Sequence, residues 1–326
     1  MLDKSKVKTF NELKIGLVLS GGGAKGAYQG GVIAALYELD LHDKIKAVSG
    51  TSIGALNTLL FASGDRKLCH DLWNKHNVAE FMFKNGRVPS EKRREFLKFV
   101  NTGRGFPDFH SAISYIAAGN QSAFTLEGVR RFIQSCDIAP LWRDGRDYFV
   151  CAYNCEKYEP EYFHLNECDY KRAVDCTLAS AAIPYLFEPI VMDNMRYCDG
   201  GIASRGAKDT QGVSLDNADG MPFKPLLKKE FDIIIGIHLR EPSQVKTIPS
   251  TPEREVIDIV PSRSIEPVKG ISAMNFTHSY LRDKYELGYR DAMSILAPKI
   301  ISRLKEDKPK VKTIKERKSI FGFLNG

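Results

Sequence analysis

The sequence predicts an α/β domain built on a mainly parallel sheet flanked by helices. Three observations carry this. Short apolar runs at Ile15 to Leu19, Ile45 to Val48, Tyr148 to Ala152, Phe231 to Ile237 and Ile257 to Val260 alternate with helical patterns such as Thr125 to Ile133, the order that βαβ units produce. The run Ile233-Ile234-Ile235 is apolar without alternation, as expected of a strand covered on both faces. The 326 residues show neither an internal repeat nor a Pro/Ser/Gly-rich linker that would divide them. One large domain, residues 14–304, therefore lies between an N-terminal tail (1–13) and a basic C-terminal tail (305–326).

The first apolar run leads into Ser20-Gly21-Gly22-Gly23-Ala24-Lys25-Gly26, and a helical pattern follows from Val32 to Leu39. Successive glycines between a strand and a helix expose several backbone N–H groups in one concavity, which suits an anion. Gly21-x-Gly23-x-x-Gly26 also satisfies the dinucleotide fingerprint, with Asp40 near the spacing of its ribose-binding acid. That acid belongs at the end of the second strand, whereas Asp40 and Asp43 both precede the strand Lys44 to Val48. A P-loop is excluded because Gly26, rather than Ser or Thr, follows Lys25.

The second strand ends on Gly50-Thr51-Ser52-Ile53-Gly54. A G-x-S-x-G at a strand end fits a tight strand-to-helix turn that lifts a serine oxygen out of the sheet, with glycines where flanking side chains find no room. The next residues, Ala55 to Ala62, are small and apolar enough for a buried helix whose N-terminal dipole favours negative charge at the serine. Alone, the pentapeptide reads equally well as a tight turn containing a serine. An oxyanion hole beside a nucleophile explains both glycine turns at once.

A serine nucleophile needs a base. His42, His70, His76, His110, His164, His238 and His278 stand in polar or charged contexts, none in a Gly-rich loop after a strand, and read as solvated or hydrogen-bonded histidines. Asp199 does occupy such a loop: Ile190-Val191-Met192 and a turn lead to Asp199-Gly200-Gly201. A carboxylate held against a serine hydroxyl serves as general base where dry surroundings keep its basicity up. The plainer reading of the same residues is an Asp-Gly hairpin turn.

Together, Gly21-Gly22-Gly23-Ala24-Lys25-Gly26, Gly50-Thr51-Ser52-Ile53-Gly54 and Asp199-Gly200-Gly201 resemble the three ordered motifs of the patatin-like phospholipases. The resemblance extends to Ala179-Ser180-Ala181-Ala182-Ile183-Pro184 with Phe187 and Pro189, and to Phe231 through Ile237, and covers roughly residues 14–296. It implies a serine lipid acyl hydrolase of the phospholipase A or lysophospholipase type, acting through an acyl-enzyme. Ser52 would be the nucleophile, Asp199 its partner in a Ser-Asp dyad, and the loop Gly21, Gly22, Gly23, Lys25 and Gly26 the oxyanion hole; Gly50 and Gly54 shape the elbow, and Gly200 and Gly201 the aspartate turn. One departure is the polar, Gly-rich stretch 202–219 between the aspartate triplet and Gly220-Met221-Pro222-Phe223, which reads as a surface-loop insertion.

The stretch 65–121 carries Trp73, Phe81, Phe83, Phe96, Phe99, Phe106, Phe109 and Tyr115 among many basic residues, without a strand pattern. Two expectations stand: a helical cap giving apolar walls to an acyl channel, or a helical insertion whose aromatics join an ordinary core. Net charge is +7 and much of it falls in the tail 305–326, which ends in Ile320, Phe321, Phe323 and Leu324. Such a segment suits peripheral contact with an anionic membrane or a solvated tail. Nucleic-acid binding lacks a recognition motif.

Seven cysteines without CxxC pairs suit a reducing cytoplasm, and no signal peptide or membrane-spanning run is expected. Cys151, Cys155, His164 and Cys168 have only a faint zinc spacing, so neither metal nor cofactor is expected. Substrates would be phospholipids or other acyl lipids; a non-catalytic lipid- or nucleotide-binding module, and an acyltransferase using the same dyad, are the alternatives.

Overall fold

A computed structural model describes residues 9–83, 88–102, 104–107, 109–117, 122–201, 218–245, 247–266 and 272–307. In chain order its main elements are β1 (Ile15–Leu19), α1 (Gly26–Glu38), β2 (Ile45–Thr51), α2 (Ile53–Ser63), α3 (Arg66–Asn74), α4 (Val78–Met82), α5 (Ser90–Thr102), α6 (Phe109–Ala117) and α7 (Glu127–Gln134). The chain continues with β3 (Asp147–Asn154), β4 (Glu159–His164), α8 (Tyr170–Ser180), β5 (Ile190–Met192), β6 (Met195–Asp199), α9 (Lys224–Leu227), β7 (Ile233–Ile237), β8 (Glu255–Ile259) and α10 (His278–Asp307).

These strands form one mixed sheet in the order β5-β6-β3-β2-β1-β7-β8, with β4 also paired to β3. The pairs β1–β2, β1–β7, β2–β3 and β7–β8 are parallel, so the α/β class with a mainly parallel sheet and flanking helices is what the chain adopts. Cover is unequal on the two faces. All the helices but α9 contribute to one apolar cluster with Leu17, Val48, Val150 and Ile235, while the opposite face packs Val18, Ala47, Phe149 and Ile234 under Phe223, Leu226 and Phe231 around α9.

The register on β3 decides where the functional turns meet. Residues 149–154 of β3 pair antiparallel with β4 along one edge, so its other edge carries both β2, opposite residues 147–151, and β6, opposite 152–154. β2 runs parallel to β3 and ends with Thr51 opposite Cys151; β6 runs antiparallel and ends with Asp199 opposite Ala152. Two strand ends therefore meet head to head on neighbouring residues of a third. Asp193 and Asn194, both at positive φ, form the two-residue turn that sends β5 back as β6.

Several boundaries differ from the sequence reading for identifiable reasons. α1 begins at Gly26 rather than Val32, because glycines inside it allow close packing: a Cβ on Gly31 would lie 1.9 Å from the carbonyl of Tyr285, and one on Gly288 2.0 Å from that of Tyr28. β4 escapes the pattern because it is a half-buried edge strand containing Pro160 and two glutamates. Within 65–121, Trp73, Phe83, Phe96 and Phe99 are buried in the same core as the sheet, and Trp73, Phe81 and Met82 also border an apolar cavity against α2. Residues 202–217 of the surface-loop insertion and 308–326 of the basic tail lie outside the described residues.

Candidate active site

β2 turns directly into α2 at Ser52, whose φ of 57° and ψ of −124° are a strained conformation for a residue with a side chain. The turn is this tight because the backbone of Leu19 crosses it: a Cβ on Gly54 would stand 2.2 Å from the Leu19 carbonyl oxygen, and one on Gly50 2.3 Å from that of Gly54. Ser52 N donates to Ser180 Oγ at 2.8 Å, and Ser180 Oγ donates in turn to the Cys151 carbonyl at 2.6 Å. Ser180, at the end of α8, thereby pins the elbow to β3. It has no glycine beside it to mark it as functional, and the sequence reading gives it no role.

Ser52 Oγ donates to Asp199 Oδ2 at 2.5 Å, and both side chains are buried. The other oxygen, Oδ1, accepts from the Gly201 N–H at 2.8 Å, while Asp199 N donates to the Ala182 carbonyl at 2.9 Å. Gly200 lies against the Cys151 carbonyl, 2.3 Å from where its Cβ would be, so the chain after Asp199 folds tightly over β3. Among the described residues no histidine is hydrogen-bonded to Ser52. His164 contacts Asp147 and Glu167, His238 contacts Asp258 at 2.6 Å, and His278 contacts the Asn74 carbonyl.

The glycine loop lies against this pair. A Cβ on Gly21 would be 3.2 Å from Ser52 Cβ, and Gly21 N donates to the Gly220 carbonyl at 2.9 Å. Gly23 sits at φ +59°, and a Cβ there would stand 2.1 Å from the Ala273 carbonyl oxygen. Among the described residues the N–H groups of Gly22 and Gly23 donate to no acceptor. Gly26 begins α1 and faces Ile53. Lys25 is buried within the loop; burial holds its ammonium below the ordinary lysine value, against the pull of Glu266, with Arg240 adding to the depression and Glu241 opposing it.

A buried polar chain joins loop to elbow. Gln29 donates to the Ser20 carbonyl at 2.8 Å, Asn57 donates to Gln29 Oε1 at 2.9 Å and to the Gly26 carbonyl at 3.1 Å, and Trp73 Nε1 donates to Asn57 Oδ1 at 3.2 Å. The far end of the inserted stretch is tied down too: the Asp219 carbonyl accepts from Thr51 Oγ1 at 2.9 Å, and its carboxylate accepts from Tyr162 at 2.5 Å. Among the described residues there is no cluster of metal-ligating side chains, and no helix is long and apolar enough to cross a membrane.

The family model for patatin-like phospholipases matches residues 17–206, well over half of the chain and inclusive of all three glycine turns. The chain belongs to the patatin-like phospholipase family. Membership supports lipid acyl hydrolysis as its general activity. A relative from Escherichia coli K12, the uncharacterized protein YjjU, is 23% identical over 201 residues, which are 60% of this patatin-like chain and 48% of the relative, so the match spans about half the relative's length. Among solved structures, VipD from Legionella pneumophila aligns at 14% identity and a TM-score of 0.41 over 88% of this chain and 67% of that one. Human GIVD cytosolic phospholipase A2 aligns at 13% and 0.42 over 90% and 60%.

Proposed function

We propose that this patatin-like protein is a phospholipase of the A or lysophospholipase type, in which Ser52 attacks the ester carbonyl and Asp199 is the direct base. The observation that carries the reading is the buried 2.5 Å contact between Ser52 Oγ and Asp199 Oδ2, set against a loop whose Gly22 and Gly23 N–H groups are free among the described residues. Asp199 accepts the hydroxyl proton as the serine oxygen bonds to the carbonyl carbon. The tetrahedral oxyanion is held by the free N–H groups, and protonated Asp199 returns the proton to the departing alcohol. Water, deprotonated by the same carboxylate, then attacks the acyl-enzyme, and the proton passes from Asp199 to Ser52 Oγ as that oxygen leaves, releasing the fatty acid and restoring the pair. Fluorophosphonate labelling mapped to Ser52, followed by mass spectrometry of the products from defined phospholipids, tests the assignment. Labelling elsewhere, or phospholipids returned intact, would refute it.

The loop gives a separate expectation. Gly23→Ala forces a Cβ into the Ala273 carbonyl at a left-handed position, which swings the N–H groups off the oxyanion. Its kcat should fall by roughly 10²–10³-fold, the usual loss for one misplaced oxyanion donor. Steady-state kinetics of a variant whose melting temperature shows it folded make the check; a rate within a few-fold of the parent would remove the loop from the mechanism.

In this reading the acyl chain goes to the apolar cavity that Ile53, the residue after the serine, helps to line. Ile53, Leu56, Leu59 and Leu60 on one side of α2 face Trp73, Phe81, Met82 and Phe132 across a cavity of about 30 Å³, roughly one water's share of liquid volume. A long chain must therefore part α4 and α7 from α2 to enter. Leu56→Trp fills this space, and kcat/KM for palmitoyl esters should drop on the order of tenfold relative to butyryl esters. An unchanged chain-length profile would place the acyl chain elsewhere.

A further inference from the structure

Beyond β7 the chain alternates sides. Leu239 turns inward beneath the glycine loop, where a Cβ on Gly22 would lie 2.8 Å from its side chain. Arg240 turns to the other side, and its Nη2 is 3.7 Å from where a Cβ on Gly220 would be. Gly220 is the residue that wedges the two catalytic turns together: its carbonyl accepts from Gly21 N at 2.9 Å, and its Cα is 3.1 Å from the Cβ position of Gly201. The guanidinium thus stands at the junction of the oxyanion loop and the aspartate turn.

Its side chain is uncommitted at this place. Arg130, Arg146, Arg172 and Arg196 each hold a carboxylate, at 2.6, 2.7, 2.6 and 2.8 Å. Arg240 is exposed and, among the described residues, makes no hydrogen bond or ion pair. Two acids stand nearby, Glu241 and Glu266. Glu241 Oε1 already accepts from Ser264 Oγ at 2.8 Å and from Glu266 N at 3.0 Å, and Glu266 has interactions of its own. The buried ammonium of Lys25, in the glycine loop itself, feels Arg240 as well as the carboxylates of Glu266 and Glu241. A free, planar, two-pronged donor at the rim of the glycine loop is suited to the oxygens of a phosphodiester.

We propose that Arg240, which lies outside the three glycine motifs, is the specificity-determining residue that grips the headgroup phosphate of the substrate and sets the preference for phosphate-bearing glycerolipids over neutral acylglycerols. The inference rests on the proposed hydrolase reading. In a glycerophospholipid the phosphate is borne on the glycerol carbon next to the one carrying the sn-2 ester oxygen. A carbonyl held at Gly22 and Gly23 therefore brings the phosphate to the rim of the loop, where Arg240 stands. Two parallel N–H···O contacts to the phosphate would orient the glycerol as well as hold it.

The test compares the full-length protein with Arg240→Ala and Arg240→Lys on a phosphatidylcholine and a diacylglycerol of the same acyl chains, in identical detergent micelles. The ratio of kcat/KM for phospholipid to that for diacylglycerol should fall by roughly 10- to 100-fold in the alanine variant, the range of a lost charge-assisted hydrogen bond. Lysine, which keeps the charge but not the fork, should restore part of it. A ratio equal to the parent's, or both substrates declining in step, overturns the assignment. A binding arm separates this outcome from failure of the hydrolase reading. In a Ser52→Ala background, calorimetry with dihexanoylphosphatidylcholine below its micelle-forming concentration should show affinity that Arg240→Ala weakens by the same factor, whether or not the parent hydrolyses anything. Monomeric lipid removes attraction to a surface as an explanation. Inorganic phosphate, titrated alone, should bind much more weakly; Arg240-dependent binding of free phosphate as tight as that of the lipid would make this a phosphate site and overturn headgroup reading.

Discussion

Ser52→Ala should abolish both fluorophosphonate labelling and ester hydrolysis, with kcat down by roughly 10⁶-fold as when a serine nucleophile is removed elsewhere. The change deletes one oxygen from a buried side chain, leaves no cavity of consequence, and keeps a Cβ at a position that already tolerates one at φ 57°. Helix α2 and its neighbours therefore have no reason to move, and circular dichroism and melting temperature should match the parent. The loss is thus chemical rather than structural. Turnover that persists in the folded alanine variant, with the products unchanged, would take Ser52 out of the reaction and leave the elbow as a turn only.

What the sequence makes legible here follows from where the backbone is most constrained. Gly50, Gly54 and Gly23 are visible as residues because no Cβ fits at those places, so the constraint is written in the letters themselves. The strands β1, β3 and β7 are visible because buried central strands need nearly unbroken apolar runs, and β2 and β8 because their apolar residues are interrupted only by Lys46 and Asp258. Partners that act through side chains at long range leave no such mark. Ser180, 128 residues from the elbow it holds, and Asn57 and Gln29, buried under the loop, carry no flanking pattern that separates them from a polar residue facing water.

The meeting of Ser52 with Asp199 is likewise a property of register rather than of spacing. They are 147 residues apart, and what joins them is that β2 and β6 end on adjacent residues of β3, Cys151 and Ala152. A one-residue slip of β6 would turn Asp199 to the opposite face of the sheet. Nothing in the local sequence of either strand states that β6 shares the β2 edge of β3; the half-buried β4, which occupies the other edge and so forces this arrangement, is the strand whose pattern is weakest. Arg240 shows the same limit: its meaning comes from Gly220, on the far side of the inserted stretch.

Asp199→Asn should collapse acylation even for an activated ester, lowering kcat/KM by roughly 10²–10⁴-fold, the range that general-base help contributes. The reason lies in how the carboxylate is held. Gly201 N–H donates to Oδ1, so an asparagine at this place keeps its carbonyl oxygen toward Gly201 and turns its NH₂ toward Ser52 Oγ. The serine oxygen then receives a hydrogen bond where it must give up a proton, and shape is retained while basicity is gone. An imidazole-dependent enzyme would respond differently. His238 is engaged with Asp258, His164 with Asp147 and Glu167, and His278 with a backbone carbonyl, so alanine at any of them should cost far less than at Asp199. The decisive measurement is the rate of fluorophosphonate adduct formation in all four variants, each shown to be folded. If one histidine variant is as inert as Ser52→Ala while Asp199→Asn still acylates, a Ser-His arrangement operates and the direct dyad is wrong.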